Sequence, residues 1–175
     1  MANISVPLEL HEVATFLQST PVVLRNLLHA LPDGAVAWHP SAGEWCIQEV
    51  VGHLIEEDNR DFVGRIRLML DQDEPRLTVT DQKEAARMRH DCDKNLDDLL
   101  DEFSTVRGAS VSFVSAFKEG ELHRGGVHPK IGHLRITNLL HEWIYHDLNH
   151  ISQIRANVQS VLWAHLGNMQ RFYQP

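Results

Sequence analysis

The chain has little sulfur to work with: two cysteines, Cys46 and Cys92, among 175 residues. Two thiols make no disulfide framework and suit a reducing cytoplasm. Positive charge is also scarce. Lys and Arg number 16 against 24 Asp and Glu, a formal net charge of −8. A chain this acidic, with no basic stripe, repels phosphate backbones, which argues against a nucleic-acid partner. No window approaches the roughly 18 consecutive apolar residues of a membrane span. The stretch Met1–Pro7 lacks a basic region followed by an apolar run, so neither a membrane partner nor secretion is expected. Strand-like alternation is nearly absent, with Leu77–Thr80 and Leu134–Ile136 as short exceptions. No repeat, P-loop or glycine-rich dinucleotide motif occurs.

What remains is helix. The length suits one domain spanning 1–175, large enough to bury a core without metal or disulfide staples. Four segments carry apolar residues at three- and four-residue steps. The first runs from about Leu8 to Leu31, with Thr20-Pro21 reading as a cap followed by a kink or restart within it. The second runs from about Gln48 to Leu70. Before it, Cys46-Ile47-Gln48-Glu49 has the spacing of a capping box, with a thiol where a hydroxyl is usual. The third runs from near Asp93 to Phe117 along the seam Leu96, Leu99, Phe103, Val106, Ser110, Phe113 and Phe117, its outer face acidic and solvated. A shorter helix over Asp81–Asp91 can precede it. The fourth runs from about Thr137, read as its N-cap, to Trp163. The pattern predicts an all-α fold, an antiparallel four-helix bundle. A long loop, Lys118–Ile136, precedes the last helix, and long loops in small domains are often functional.

Histidine is abundant, at 12 residues. His146 and His150 lie one turn apart on the apolar stripe of the fourth helix. Burying two imidazoles is costly unless their nitrogens find partners, and a divalent cation satisfies both. The pair alone is weak evidence in so histidine-rich a chain. His53, beside the apolar face of the second helix, adds a third nitrogen donor from another direction. Three histidines leave coordination positions open, as catalytic zinc sites do. His141-Glu142 followed by His146 imitates a metalloprotease motif, but its spacing of five rather than four splays the imidazoles by roughly 140°. Glu142 reads equally as a supporting partner for His146 or as an exposed carboxylate.

Two stretches then carry a resemblance. One is Trp38-His39-Pro40, Gly43-Glu44-Trp45 and Glu49-Val50-Val51-Gly52-His53-Leu54. The other is Trp143-Ile144-Tyr145-His146-Asp147-Leu148-Asn149-His150-Ile151-Ser152-Gln153-Ile154. Together with Gly126–Gly132, they make the chain similar to the DinB/YfiT-like superfamily from about Thr20 to Val158. The resemblance implies a four-helix bundle with a divalent metal held by His53, His146 and His150. It implies chemistry such as thiol-dependent S-transfer, with a low-molecular-weight thiol such as bacillithiol or mycothiol and a small-molecule substrate as partners. It also implies a homodimer, which no helix face in the sequence fixes. Cys46 departs from the serine common at its position.

A metal here would activate water for hydrolysis or hold a thiol as thiolate. The residues alone do not choose, and the resemblance favours the thiol. Zinc or nickel are the foremost candidates, since imidazole accepts several metals. The alternative is a non-catalytic metal-binding or interaction domain. Around the trio, His128 reads as a loop histidine, or as a weak candidate for catalysis that reaches the metal or carries a proton. Cys46 reads as an inert thiol, or as a nucleophile favoured by its helix start. Trp38 and Trp45 anchor the segment before the second helix or stack on substrate. Gln153 orients a ligand or packs. Asp147, next to the ligand stripe, should point away from the metal.

Overall fold

Apolar residues at helical spacing zip the chain into four long helical arms. The structure, a computed structural model, describes residues 7–173. The stretch 1–6, part of the N-terminal reading above, lies outside them. Helix α1 spans Leu10–Leu28 and a short α2 spans Asp33–Val36. Helix α3, Ile47–Glu56, runs through a π-helical stretch, Glu57–Val63, into α4, Gly64–Asp71, so the second arm is unbroken. Helix α5, Gln82–Arg89, and a 3₁₀ turn, Asp91–Asp93, lead to α6, Leu96–Ser115. Helix α7, Ile136–Trp163, completes the bundle. Helices α1 and α3 each pack against both α6 and α7. None of the described helices is long and apolar enough to cross a membrane.

The core has two halves. One gathers Leu24, Leu28, Val50, Leu54, Leu99, Phe103 and Ile154; the other gathers Val13, Leu17, Phe62, Ile66, Val114, Leu139 and Trp143. Full burial of each such side chain contributes roughly 1.5–3 kcal/mol. On each arm a buried polar stretch separates the halves: Thr20 on α1, Asp58 on the π segment, Arg107 and Ser110 on α6, Asp147 on α7. Arg107 is the hub. Its guanidinium donates to both Asp58 and Asp147. Asp58 also accepts from the Trp143 indole at 2.9 Å and from Ser110, while Asp147 accepts from Thr20 at 2.6 Å.

That network overturns one expectation. Thr20-Pro21 does not restart a helix, because α1 continues through Pro21. The proline ring lacks the N–H that would bond the carbonyl four residues back. That carbonyl belongs to Leu17, and Arg107 donates to it at 3.0 Å. The Thr20 hydroxyl, read as a cap, turns inward to Asp147 instead.

The long loop before the last helix is also more ordered than its composition suggests. After a 3₁₀ turn, Glu119–His123, it folds into an antiparallel hairpin of β1, Gly125–His128, and β2, Gly132–Arg135. Gly132 sits at φ +81°, a left-handed conformation that glycine enters without steric cost. Pro75 and Leu77 exchange backbone hydrogen bonds with Val127, which ties the hairpin to the chain after α4. Helix α7 therefore starts at Ile136, and its cap is Arg135 rather than Thr137: the Arg135 amide donates to the Asn138 side chain.

The cysteines correct a third expectation. Cys46 and Cys92 are joined in a disulfide across 46 residues of sequence. The pairing brings the N-terminus of α3 against the 3₁₀ turn. Gly52 permits that approach, since a Cβ there would lie 1.7 Å from Asp91 Oδ2. The capping box forms as the spacing predicts. Cys46 Sγ accepts from the Glu49 amide, and the Glu49 carboxylate accepts from the Cys46 amide at 2.8 Å.

Candidate metal centre

Helix α3 delivers His53 from one side of the bundle and α7 delivers His146 and His150 from the other. The Nε2 atoms of His53 and His146 are 3.2 Å apart, as are those of His146 and His150. Two ligand nitrogens about 2.0–2.1 Å from a tetrahedral zinc lie about 3.3 Å from each other. The spacing therefore matches a shared cation.

The second ring nitrogens are held unequally. His150 Nδ1 donates to Gln153 Oε1 at 2.9 Å, so its Nε2 carries the free lone pair. Gln153 thus orients a histidine, one of its two sequence readings. His53 Nδ1 lies 3.8 Å from the Glu57 carboxylate. His146 Nδ1 is buried without a partner. Trp45 packs on His53 with ring centroids 4.8 Å apart, and Phe62 packs on His146 at 5.5 Å.

Electrostatics keeps the trio neutral. Burial, reinforced by His150 and His146, lowers the His53 imidazole from 6.5 to about 3. Burial, with His150 and Arg107, lowers His146 to about 3 as well. His150 is lowered chiefly by burial, against the pull of Gln153 and Asp147. A neutral imidazole leaves each ring one nitrogen lone pair, and a divalent cation placed among the three Nε2 atoms accepts all of them at once. The donor set, its spacing and its protonation state all fit one.

His146 also lines a cavity of about 670 Å³. The cavity wall holds Glu57, Asp61, Arg65, His128 and Glu142. Burial raises the Glu57 carboxyl to about 8, helped by Asp61 close by. Burial also raises Glu142. Arg65 pairs with Asp61 at 2.7 Å, yet its buried Nε has no partner.

The sequence candidates divide accordingly. His53, His146 and His150 come together. His128 does not join their donor group; it sits on β1 in the cavity wall, its Nδ1 accepting from the Lys130 amide at 3.2 Å. Glu142 is likewise a cavity residue and makes no hydrogen bond to His146. Asp147 does turn away from the trio, into the Arg107 network. Cys46 is no free nucleophile, since it is paired with Cys92. Trp45 packs beside His53, whereas Trp38 is 39% exposed. Glu57, Asp61 and Arg65 escaped the sequence reading. Their only signal was a run of charges inside an otherwise apolar helix, which a surface face explains equally well.

The profile of the DinB superfamily matches residues 17–154. No curated protein matches the chain. Among solved structures, the chain is similar to YfiT from Bacillus subtilis, described as a probable metal-dependent hydrolase with an unusual four-helix bundle topology. The TM-score is 0.80 at 19% identity, over 93% of each chain. It is also similar to a mycothiol-dependent maleylpyruvate isomerase, with a TM-score of 0.59 and 12% identity over 91% of this chain and 70% of that one.

Proposed function

The chain belongs to the DinB superfamily, and from that premise we propose that it is a metal-dependent enzyme that uses a low-molecular-weight thiol to modify a small molecule. One observation carries the reading: three neutral imidazole nitrogens converge where His146 meets the wall of a 670 Å³ cavity. His53, His146 and His150 would hold the cation, with zinc or nickel foremost. When bound, it would supply a Lewis acid that keeps a thiol in its nucleophilic thiolate form.

The surrounding residues have separate tasks. Gln153 fixes the His150 ring and its tautomer. Glu57, held protonated near neutral pH by burial, offers an O–H at the cavity wall. The Arg65 Nε–H, free of protein partners, offers a donor to an acceptor group of the substrate. His128, with Nδ1 engaged by the Lys130 amide, carries its ring proton on Nε2. It remains the candidate proton carrier in the wall. The likeness to a mycothiol-dependent isomerase supports the thiol. A cytoplasm, where such thiols stay reduced, is the setting we assign.

Metal content of untagged protein, beside a His146→Ala/His150→Ala variant, is the first test. About one metal per chain, lost in the variant, is expected. Calorimetric titration of the loaded protein with bacillithiol and mycothiol follows. Binding that disappears in the variant supports thiol transfer. Ester or amide hydrolysis without thiol binding would replace it with a hydrolase. Wild type that takes up neither zinc nor nickel would leave a non-catalytic domain.

A further inference from the structure

A second donor cluster lies at the opposite end of α3 from His53. It comprises His39, Cys46, Glu49 and Cys92, whose donor atoms all lie within 4.8 Å of one another. Three separate pieces of chain meet there: the segment before the helix, the helix N-terminus, and the Asp91–Asp93 turn. The first proposed centre uses none of these residues.

The orientation of His39 is informative. Its Nδ1 donates to the Glu44 carbonyl at 2.8 Å, which leaves Nε2 unprotonated. That lone pair lies 3.5 Å from Cys92 Sγ. A disulfide sulfur has no proton to offer it, so the contact serves little purpose while the cysteines are paired. A backbone carbonyl holding one ring nitrogen while the other faces a sulfur is the usual support for a metal-ligating histidine. On a tetrahedral zinc, a thiolate about 2.3 Å away and an imidazole nitrogen about 2.0–2.1 Å away stand about 3.6 Å apart. The observed separation of 3.5 Å fits.

The other donors are equally prepared. Cys46 Sγ sits at the N-cap of α3 and accepts from the Glu49 amide, which fixes its position in the cluster. Glu49 Oε2 accepts the Cys46 amide, which holds the carboxylate at the cluster. Cys46 is fully buried while the His39 side chain is 46% exposed, so solvent reaches one edge of the cluster.

We propose that His39, Cys46, Glu49 and Cys92 form a redox-gated zinc site. The disulfide is its closed, metal-free state. Two molecules of a low-molecular-weight thiol reduce it. The first attacks Cys92 Sγ, forms a mixed disulfide with it and releases Cys46 as thiolate; the second attacks the reductant sulfur of that mixed disulfide, releases Cys92 as thiolate and leaves as the symmetrical disulfide of the two reductant molecules. The two protons given up by the reductants rest on the cysteines. Zinc binding then releases both protons and joins two thiolates, an imidazole and a carboxylate. Thiolate with imidazole selects zinc over magnesium or calcium. The site is independent of the three-histidine reading.

The test counts zinc in the His146→Ala/His150→Ala chain, which lacks the other centre. Protein is reduced with a phosphine or oxidised with diamide, incubated with zinc, desalted, and measured by plasma mass spectrometry. About one zinc per reduced chain and none per oxidised chain is expected. Cys92→Ser and His39→Ala should abolish it. Cobalt in place of zinc should add a thiolate-to-metal charge-transfer band that diamide removes. If the double variant does not fold, wild type should bind about one more zinc reduced than oxidised. Equal zinc in both redox states, zinc that survives Cys92→Ser, or a disulfide that resists reduction in the folded protein would each overturn the proposal.

Discussion

The Arg107 network and the three-histidine cluster are neighbours in the same polar slab of the bundle, sharing α7 at adjacent residues, Asp147 and His146. Both place polar atoms where water is scarce. In the first, one guanidinium meets two carboxylates, an indole and two hydroxyls add hydrogen bonds, and a spare carbonyl is taken up. In the second, three ring nitrogens converge at 3.2 Å spacing and His146 Nδ1 has no partner. The first also lies buried, whereas the second borders a cavity. Burial with complete pairing marks a structural device. Burial with convergent, unpaired donors marks a site built for something else.

The sharpest way to break this contrast is Arg107→Ala. It strands Asp58 and Asp147 without a counter-charge and should cost about 3–5 kcal/mol of stability by urea unfolding. A loss as small as that at an exposed arginine would mean the network is not structural. The pH dependence comes next. His53 and His146 are harder to protonate folded than unfolded, so the unfolded chain takes up their protons first. In chelated protein, their contribution is intact above about 6.5 and is lost as pH falls toward 3. Glu57, raised to about 8, acts in the opposite sense, losing its contribution as pH rises through about 8. Comparison with a His53→Gln/His146→Gln variant removes that background. Between pH 6 and 5, the wild type should lose up to about 1.4 kcal/mol per histidine relative to the variant. Parallel pH curves for the two proteins would sink the idea.

Two smaller effects sharpen the contrast. Gln153→Ala should weaken metal binding about 10–100-fold while leaving metal-free stability nearly unchanged. A drop in stability without a change in affinity would move Gln153 to the structural side. Pro21→Ala should change stability by less than about 1 kcal/mol, although proline inside an ordinary helix costs about 3. The restored amide would compete with Arg107 for the Leu17 carbonyl. A full gain of that size would show the Arg107 contact to be dispensable.

The sequence makes the arms legible because apolar period survives without knowing partners. Leu24 and Leu28, or Leu99 and Phe103, announce a face before anything packs on it. The histidine trio is legible for a related reason: imidazoles on apolar stripes are conspicuous. The Arg107 network is not. Its members are separated by 49 and 40 residues, and each alone reads as a surface charge. Thr20-Pro21 misleads because the atom that justifies an interior proline comes from another helix. The hairpin hides because its strands are four residues each and rich in glycine. The disulfide hides because two cysteines carry no information about proximity.

The π-helical stretch Glu57–Val63 has a further meaning for the arm it interrupts. A π turn takes in one residue more than an α turn, and each residue of an α-helix rotates the chain by about 100°. The stretch therefore acts as a gear, setting the angle between the half of the arm that carries His53 and the half that carries Ile66 and Met69. Deleting a single residue there would leave both halves helical and each amphipathic, but out of phase by about a quarter turn or more. His53 and the core residues Ile66 and Met69 could no longer face inward together. Length in this stretch is therefore constrained in addition to the identity of Asp58 and Phe62, and any chain sharing the arrangement should tolerate no change in count there.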